Sequence, residues 1–392
     1  MASKLSFKIE NIDSLGMRAG RLSFSGERAE DILTPVRAFT NSDRGNFDKL
    51  KQIGLFKNGF DELPNIPFVV NYSYNTEQLA ALHNGNASQN HLRQLKRQVT
   101  DGKLNIFDPA ISRNENGRLV VIPKKTNDVL MDIQLQAGFK VITVLDEKPS
   151  STAEEFKDRL KEAVKLLQTY EETQKDEEKQ HLELFPRIDL AMRTDKFIAK
   201  INAINEFGIK GVILKFASVI DNIENYRYLK KIADTDLFIH LSEVPRTFPK
   251  NDIYVMLSLI ISGADSFSLQ SRFRIDKDDV KAIVHKPIKR LDPQIWKFRQ
   301  FDNLYSSDEK IQCCAVDKGY TKTEFRKAYN GAQLFITANR MHDSLATNTE
   351  LLKCRQEAMQ GSLKQLLQKK ADAAKLMEKM FKVAILSNPL SN

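Results

Sequence analysis

Cysteine is scarce here: three residues in 392, two of them adjacent at Cys313 and Cys314. Three thiols cannot build the disulfide framework of a secreted domain, so a reducing, cytoplasmic setting is the expectation. Glycine (16) and proline (12) are also sparse, and no long stretch has the composition of a disordered tail or linker. Apolar runs such as Val255–Ile261 fall far short of the ~20 residues a membrane span needs. Met1–Ile9 carries no apolar core behind Lys4 and Lys8, so neither a signal peptide nor a membrane partner is expected. No glycine-rich phosphate loop follows any expected strand, which counts against a dinucleotide fold. No Gly-x-Ser-x-Gly elbow is there to anchor a hydrolase triad. The six histidines are scattered, none four residues from another.

What is plentiful is positive charge. The formal net charge is +9 with a pI near 9.2, beside an ordinary 41% hydrophobic and 28% charged residues. An excess of cations favours a polyanionic partner, because neutralised phosphates release counterions. Between Arg272 and Gln300 nine basic residues face only four aspartates, with Phe273, Trp296 and Phe298 interleaved. Arg272, Arg274, Lys281, Lys286, Lys289, Arg290, Lys297 and Arg299 are the candidate nucleic-acid contacts, since cations beside flat rings suit a phosphate backbone with exposed bases. The competing reading is a solvated helix-and-loop segment whose aromatics face the core.

The middle of the chain alternates strand and helix. Lys140–Leu145 is a β-branched run of the kind buried on both faces. Thr152 and Glu155 form a capping box, and Phe156, Leu160, Ala163, Val164 and Leu167 follow at helical spacing. Glu171–Gln180 reads as a solvated end. A helix from Thr194 stops at Gly208, and strand Gly211–Phe216 follows. Next come a helix around Glu224–Ile232, strand Leu237–Leu241, a helix from Pro249 to Ile261 and strand Ala264–Leu269. Units of this spacing imply a parallel α/β sheet, doubly wound or closed as a barrel. The first 120 residues read as more antiparallel, with turn signals at Asn58-Gly59 and Asn116-Gly117, and Thr321–Lys382 reads as helical.

Four segments, in order, resemble the tRNA-guanine transglycosylase superfamily, whose members exchange guanine in tRNA for a 7-deazaguanine, with a related branch acting on DNA. Arg18-Ala19-Gly20-Arg21-Leu22 followed by Thr34-Pro35-Val36 is similar to the family's opening hairpin and first barrel strand. Ile122-Pro123-Lys124-Lys125 through Gly138, then Val144-Leu145-Asp146-Glu147, is similar to the helix and strand that end in its "DE" pair. Gly263-Ala264-Asp265-Ser266-Phe267-Ser268 is similar to the "GVDxFD" strand that ends in the nucleophile, and Tyr320–Leu351 to the helical zinc subdomain. The resemblance runs to about residue 368. It implies a TIM-type (β/α)8 barrel with an N-terminal antiparallel extension over 1–300, and a helical subdomain over 301–392.

The family's chemistry uses one carboxylate as nucleophile and another to move protons. By resemblance those two positions fall on Ser268 and Asn71 in this chain, with Asp265, just upstream of Ser268, as a carboxylate substitute expected on the same barrel face. Of the base-recognising set only Asp146 matches; its other reading is a carboxylate ordering the helix start near Thr152. The family's "GIVQGG" strand corresponds to Arg187–Met192 and its "GGL" to Lys215-Phe216-Ala217, where Lys and Phe are expected to fill the base pocket. The family zinc ligands are degenerate: Cys313-Cys314 lacks a third cysteine in range, Asn339 stands at the histidine position and His342 lies three residues on. No cofactor is therefore expected. The resemblance implies a non-catalytic protein that binds tRNA or DNA, or pairs with a catalytic subunit as a heterodimer, or forms a homodimer. The alternatives are an active divergent transglycosylase using relocated acids, and a structural assembly partner.

Overall fold

A computed structural model describes residues 5–23, 31–52, 66–84, 88–100, 103–111, 124–146, 151–174, 181–247, 253–270, 289–304, 311–313, 316–328 and 332–386. The chain opens with a small antiparallel sheet of β1 (Ser6–Ile12), β2 (Arg18–Ser23) and β3 (Ile32–Thr34). A parallel sheet follows, made of β4 (Val36–Arg37), β5 (Phe39–Thr40), β6 (Phe68–Tyr74), β7 (Asn105–Ile111), β8 (Val141–Leu145), β9 (Glu183–Asp189), β10 (Gly211–Lys215), β11 (Phe238–Val244) and β12 (Ser266–Leu269). Its order is β4-β12-β11-β10-β9-β8-β7-β6-β5. Only Ala38 separates β4 from β5. Its N–H donates to Phe267 O at 2.8 Å, while Phe39 N–H donates to Pro67 O at 2.9 Å on the other side. The two sheet ends are thus a single stave, and the strands close into an eight-staved (β/α)8 barrel.

Helices cover the outside. They are α1 (Asn41–Gln52), α2 (Thr76–His83), α3 (Ser88–Lys96), α4 (Lys124–Ala137), α5 (Ala153–Thr173), α6 (Thr194–Glu206), α7 (Ile223–Lys231) and α8 (Met256–Ser262). The capping box at Thr152 forms as its spacing demands, with Thr152 Oγ1 accepting from Glu155 N. Gly263 ends α8 at φ 72°, a left-handed position that suits glycine. No described helix is long and apolar enough to cross a membrane.

After β12, the hairpin β13 (Lys289–Asp292) and β14 (Lys297–Gln300) precedes a second hairpin, β15 (Ile311–Cys313) and β16 (Val316–Tyr320). The long helix Ala332–Met359 then returns to the barrel and lies on α1 and β4. Asn348 clamps the Arg37 backbone from both directions, accepting from its N–H at 2.8 Å and donating to its carbonyl at 3.0 Å. This helix closes the barrel's outer layer beside the first stave. The β13–β14 hairpin packs on the long helix, where Trp296 Nε1 donates to Glu350 at 2.9 Å and Leu291 N to Asp343 at 2.8 Å.

Two expectations need correction. The antiparallel character of the first 120 residues ends at Thr34, and β6 and β7 are parallel barrel strands. The helix expected from Pro249 starts only at Met256, because Ile253 bridges Lys297 and Tyr254 N–H donates to Trp296 O at 2.9 Å. The turn signals at Asn58-Gly59 and Asn116-Gly117 lie outside the described residues.

The N-terminal sheet seals the bottom of the barrel. Phe7 meets Phe238 at 5.5 Å and Phe238 meets Phe185 at 6.0 Å between ring centroids. A Cβ added at Gly211 would come within 2.2 Å of the Phe185 ring, so this layer closes only with glycine there. Arg18, fully buried, donates from Nη2 to the carbonyls of Thr235 and Leu237 at 2.9 and 3.0 Å.

Candidate functional site

Strand alternation sends every second side chain into the lumen. Near the carboxyl ends of the strands, where barrel active sites lie, this gathers polar groups from five staves. Asn71 on β6 donates to Asp108 Oδ2 on β7 at 3.1 Å. Arg187 on β9 donates from Nε to Asp108 Oδ1 at 2.8 Å and from Nη2 to Glu243 Oε1 on β11 at 2.5 Å. Lys215 on β10 lies 3.9 Å from Glu243 Oε2. Exposure of these side chains rises from 0% at Asp108 through 10% at Arg187 and 18% at Glu243 to 25% at Lys215, tracing a path from lumen to mouth.

Glu243 reaches the lumen by a local distortion. Leu241 pairs with Phe267 and Val244 with Leu269, so β11 carries one residue more than β12 between these pairs. Within that bulge Glu243 has φ 56°, a conformation that costs a non-glycine residue about 1 kcal/mol or more. The charge pair with Arg187 holds it there.

Below this network, His240 on β11 places Nδ1 2.6 Å from Ser266 Oγ and Nε2 3.2 Å from Ser268 Oγ. Burial pushes the imidazole down to about 4; the Asp108 charge opposes the shift and Arg187 adds to it. His240 is therefore neutral at pH 7. For Arg187, burial works against the charged form, but Asp108 and Glu243 outweigh it and the net shift is upward. The guanidinium bonds both carboxylates and fills the space between them.

The expected site residues separate into three groups. Asn71 and Ser268 do sit in the lumen, engaged by Asp108 and His240. Asp265 does not. It lies three residues before Ser268, hence on the opposite face, and at the bottom of the barrel, where its Oδ2 accepts from Ile239 N at 2.8 Å and its Oδ1 stands 3.5 Å from Arg18 Nε. Burial drives its carboxyl up to about 7, against the pull of Arg18 and the Ile239 N–H. Asp146 turns into the helix layer. There Lys200 of α6 bonds it, and Ser151 Oγ donates to it at 3.1 Å. Lys215 enters the lumen as expected, whereas Phe216 turns outward onto Tyr226, 6.4 Å between centroids.

Where it is described, the basic segment mixes buried and exposed cations. Arg272, Arg274, Lys281 and Lys286, with Phe273, lie outside the described residues. Arg290 is fully buried, 5.8 Å from the Phe301 ring and 5.5 Å from Phe325. Lys297 pairs with Asp372 and Arg299 with Asp292, and Lys289 is exposed. Trp296 and Phe298 are core residues. Asn339 is buried, donating to Phe335 O at 2.8 Å, and His342 Nε2 lies 3.4 Å from Leu291 O. Among the described residues no three His, Cys, Asp or Glu side chains group as metal ligands.

Sequence reasoning missed Asp108, Glu243 and His240. Asp108-Pro109 looks like a turn, and only a charged Arg187 between the apolar Leu184–Pro186 and Ile188 hinted at a buried partner acid. No known family model matches the chain, and no curated protein matches it. Among solved structures it is similar to the YdjI aldolase from Escherichia coli K12, at 11% identity over 87% of this chain and 93% of that one, with a TM-score of 0.32. A likeness that low carries no argument; the barrel rests on its own hydrogen-bond ladder.

Proposed function

We propose that the chain is a transglycosylase-like barrel that holds tRNA or DNA, or a catalytic partner subunit, in 7-deazaguanine base modification without exchanging the base itself. One observation carries the reading: Arg187 bridges the two lumen carboxylates, Asp108 and Glu243. Glycosyl exchange needs a carboxylate free to attack and a second group able to give up a proton. Here both acids are pinned by one cation, and the positions that correspond to the family's acids carry Asn71 and Ser268. The net charge of +9 supports a polyanionic partner.

Retention of labelled tRNA and duplex DNA on filters across a salt series tests the binding half. A steep fall of affinity with salt is expected; absence of binding at low salt defeats it. A second reading, an active exchange enzyme with relocated acids, is favoured by the bulge that aims Glu243 into the lumen. On that reading Asp108→Asn and Glu243→Gln each abolish guanine exchange that the unaltered chain performs.

A further inference from the structure

A cavity of 390 Å³ opens beside the first stave, walled by residues that follow β11 and β12, by α1 and by the long helix Ala332–Met359. Arg37, Arg246, Arg340, Ser42 and Thr247 line it. Its lining includes none of the lumen network residues, and the inference drawn from it does not rest on the function proposed above.

Two acids share the wall, but their oxygens are already engaged. Asp43 Oδ1 accepts from Arg37 Nη2 at 2.9 Å and Ser344 Oγ at 2.7 Å, and its Oδ2 accepts from Thr40 N and Oγ1 at 2.9 and 3.0 Å. Asp343 accepts from Leu291 N at 2.8 Å and from Arg246. Arg37 is less fully used. It is 4% exposed, yet its Nε and Nη1 meet no hydrogen-bond partner. Buried guanidinium donors without an acceptor are costly, and folded proteins rarely retain them without a use. The Arg246 guanidinium carbon lies over the Phe298 ring, 4.1 Å from its centroid, a cation–π contact that helps to position the side chain.

We propose that this cavity binds a phosphate monoester of nucleotide size. A phosphate carries about two negative charges and three terminal acceptor oxygens, enough to engage the Arg37 donors, the Arg246 fork and the hydroxyls of Ser42 and Thr247. The volume falls within the range of small-molecule sites, about 300–1,000 Å³, and exceeds the needs of a bare inorganic ion. Three arginines against two aspartates leave the lining with an excess of positive charge, which favours an anion over a neutral ligand or a cation.

Isothermal titration of the full chain with inorganic phosphate, the four nucleoside 5′-monophosphates and the parent nucleosides tests the proposal. A monophosphate is expected to bind and its nucleoside not to. Arg246→Gln should weaken that binding at least about tenfold, the loss of a charge-assisted contact. Arg37→Lys, which keeps charge but not the fork, should weaken it too, with circular dichroism showing that each variant is folded. A 5′-phosphorylated trinucleotide and its 5′-hydroxyl form identify the source: preference for the former over mononucleotides assigns the phosphate to a strand end, and the reverse to a free nucleotide. Equal binding of nucleoside and monophosphate, no binding of any phosphate compound at millimolar concentration, or unchanged affinity in folded Arg246→Gln overturns it.

Discussion

Replacing Arg187 with Met leaves Asp108 and Glu243 facing each other without their shared cation. Asp108 has no exposure at all, so water cannot take the place of the guanidinium there; Glu243, at 18%, recovers part of its hydration. Removing one partner of a buried pair costs about 3–5 kcal/mol, most of it the penalty of the orphaned charge. For a chain of this length, which melts with a shift of about 1 °C per kcal/mol, that is about 3–5 °C. The origin of the loss is separable from lost packing. In Asp108→Asn/Arg187→Met the orphaned charge is gone, so the double variant should be more stable than the sum of the single changes implies, by about 1–3 kcal/mol. Urea denaturation of the four proteins measures this coupling. A loss under about 1 kcal/mol in Arg187→Met, or strict additivity in the cycle, would refute the claim that the guanidinium neutralises the lumen acids.

Acid should destabilise the fold through His240. Its folded value is about 4 against 6.5 for the free group, so the unfolded chain binds the extra proton between these limits and stability falls as pH drops from 6.5 to 4. His240→Gln should reduce proton uptake on unfolding in that window by about one, worth about 3 kcal/mol across it; an unchanged pH slope in denaturant titrations counts against a buried neutral imidazole. His91 is also lowered to about 4 by burial, so the variant flattens the slope without abolishing it. At the bottom of the barrel, Gly211→Ala should cost about 1–3 kcal/mol, because the added methyl meets the fully buried Phe185 ring; an unchanged melting temperature would show that the layer is loosely packed.

The second half of the barrel was readable because short strand-like runs, β-branched in Lys140–Leu145, alternate with stretches of helical spacing. Lys140–Leu145, Gly211–Phe216 and Ala264–Leu269 differ from β8, β10 and β12 by a residue or two at their ends. The first half was not, since β6 ends in polar and aromatic residues and β7 holds Pro109, features that suit irregular chain. The candidate site was legible only in part. Asn71, Ser268 and Lys215 reach the lumen as strand position implies, yet the acids that matter there come from elsewhere. Glu243 depends on a bulge and a left-handed residue, neither of which has a local signature in Leu241–Val244. Asp265 shows the opposite failure: proximity in sequence to Ser268 suggested a shared face, and odd spacing along β12 denies it. The basic run to Gln300 mixed exposed and buried cations that composition alone does not distinguish, as Arg290 shows.

Guanine exchange is the most direct test of the pinned-acid account. The purified chain, incubated with tRNA or duplex DNA and labelled guanine between pH 5 and 8, should incorporate no label above a protein-free blank, and Arg187→Met should not create activity. Incorporation by the unaltered chain that disappears in Asp108→Asn or Glu243→Gln would contradict the account.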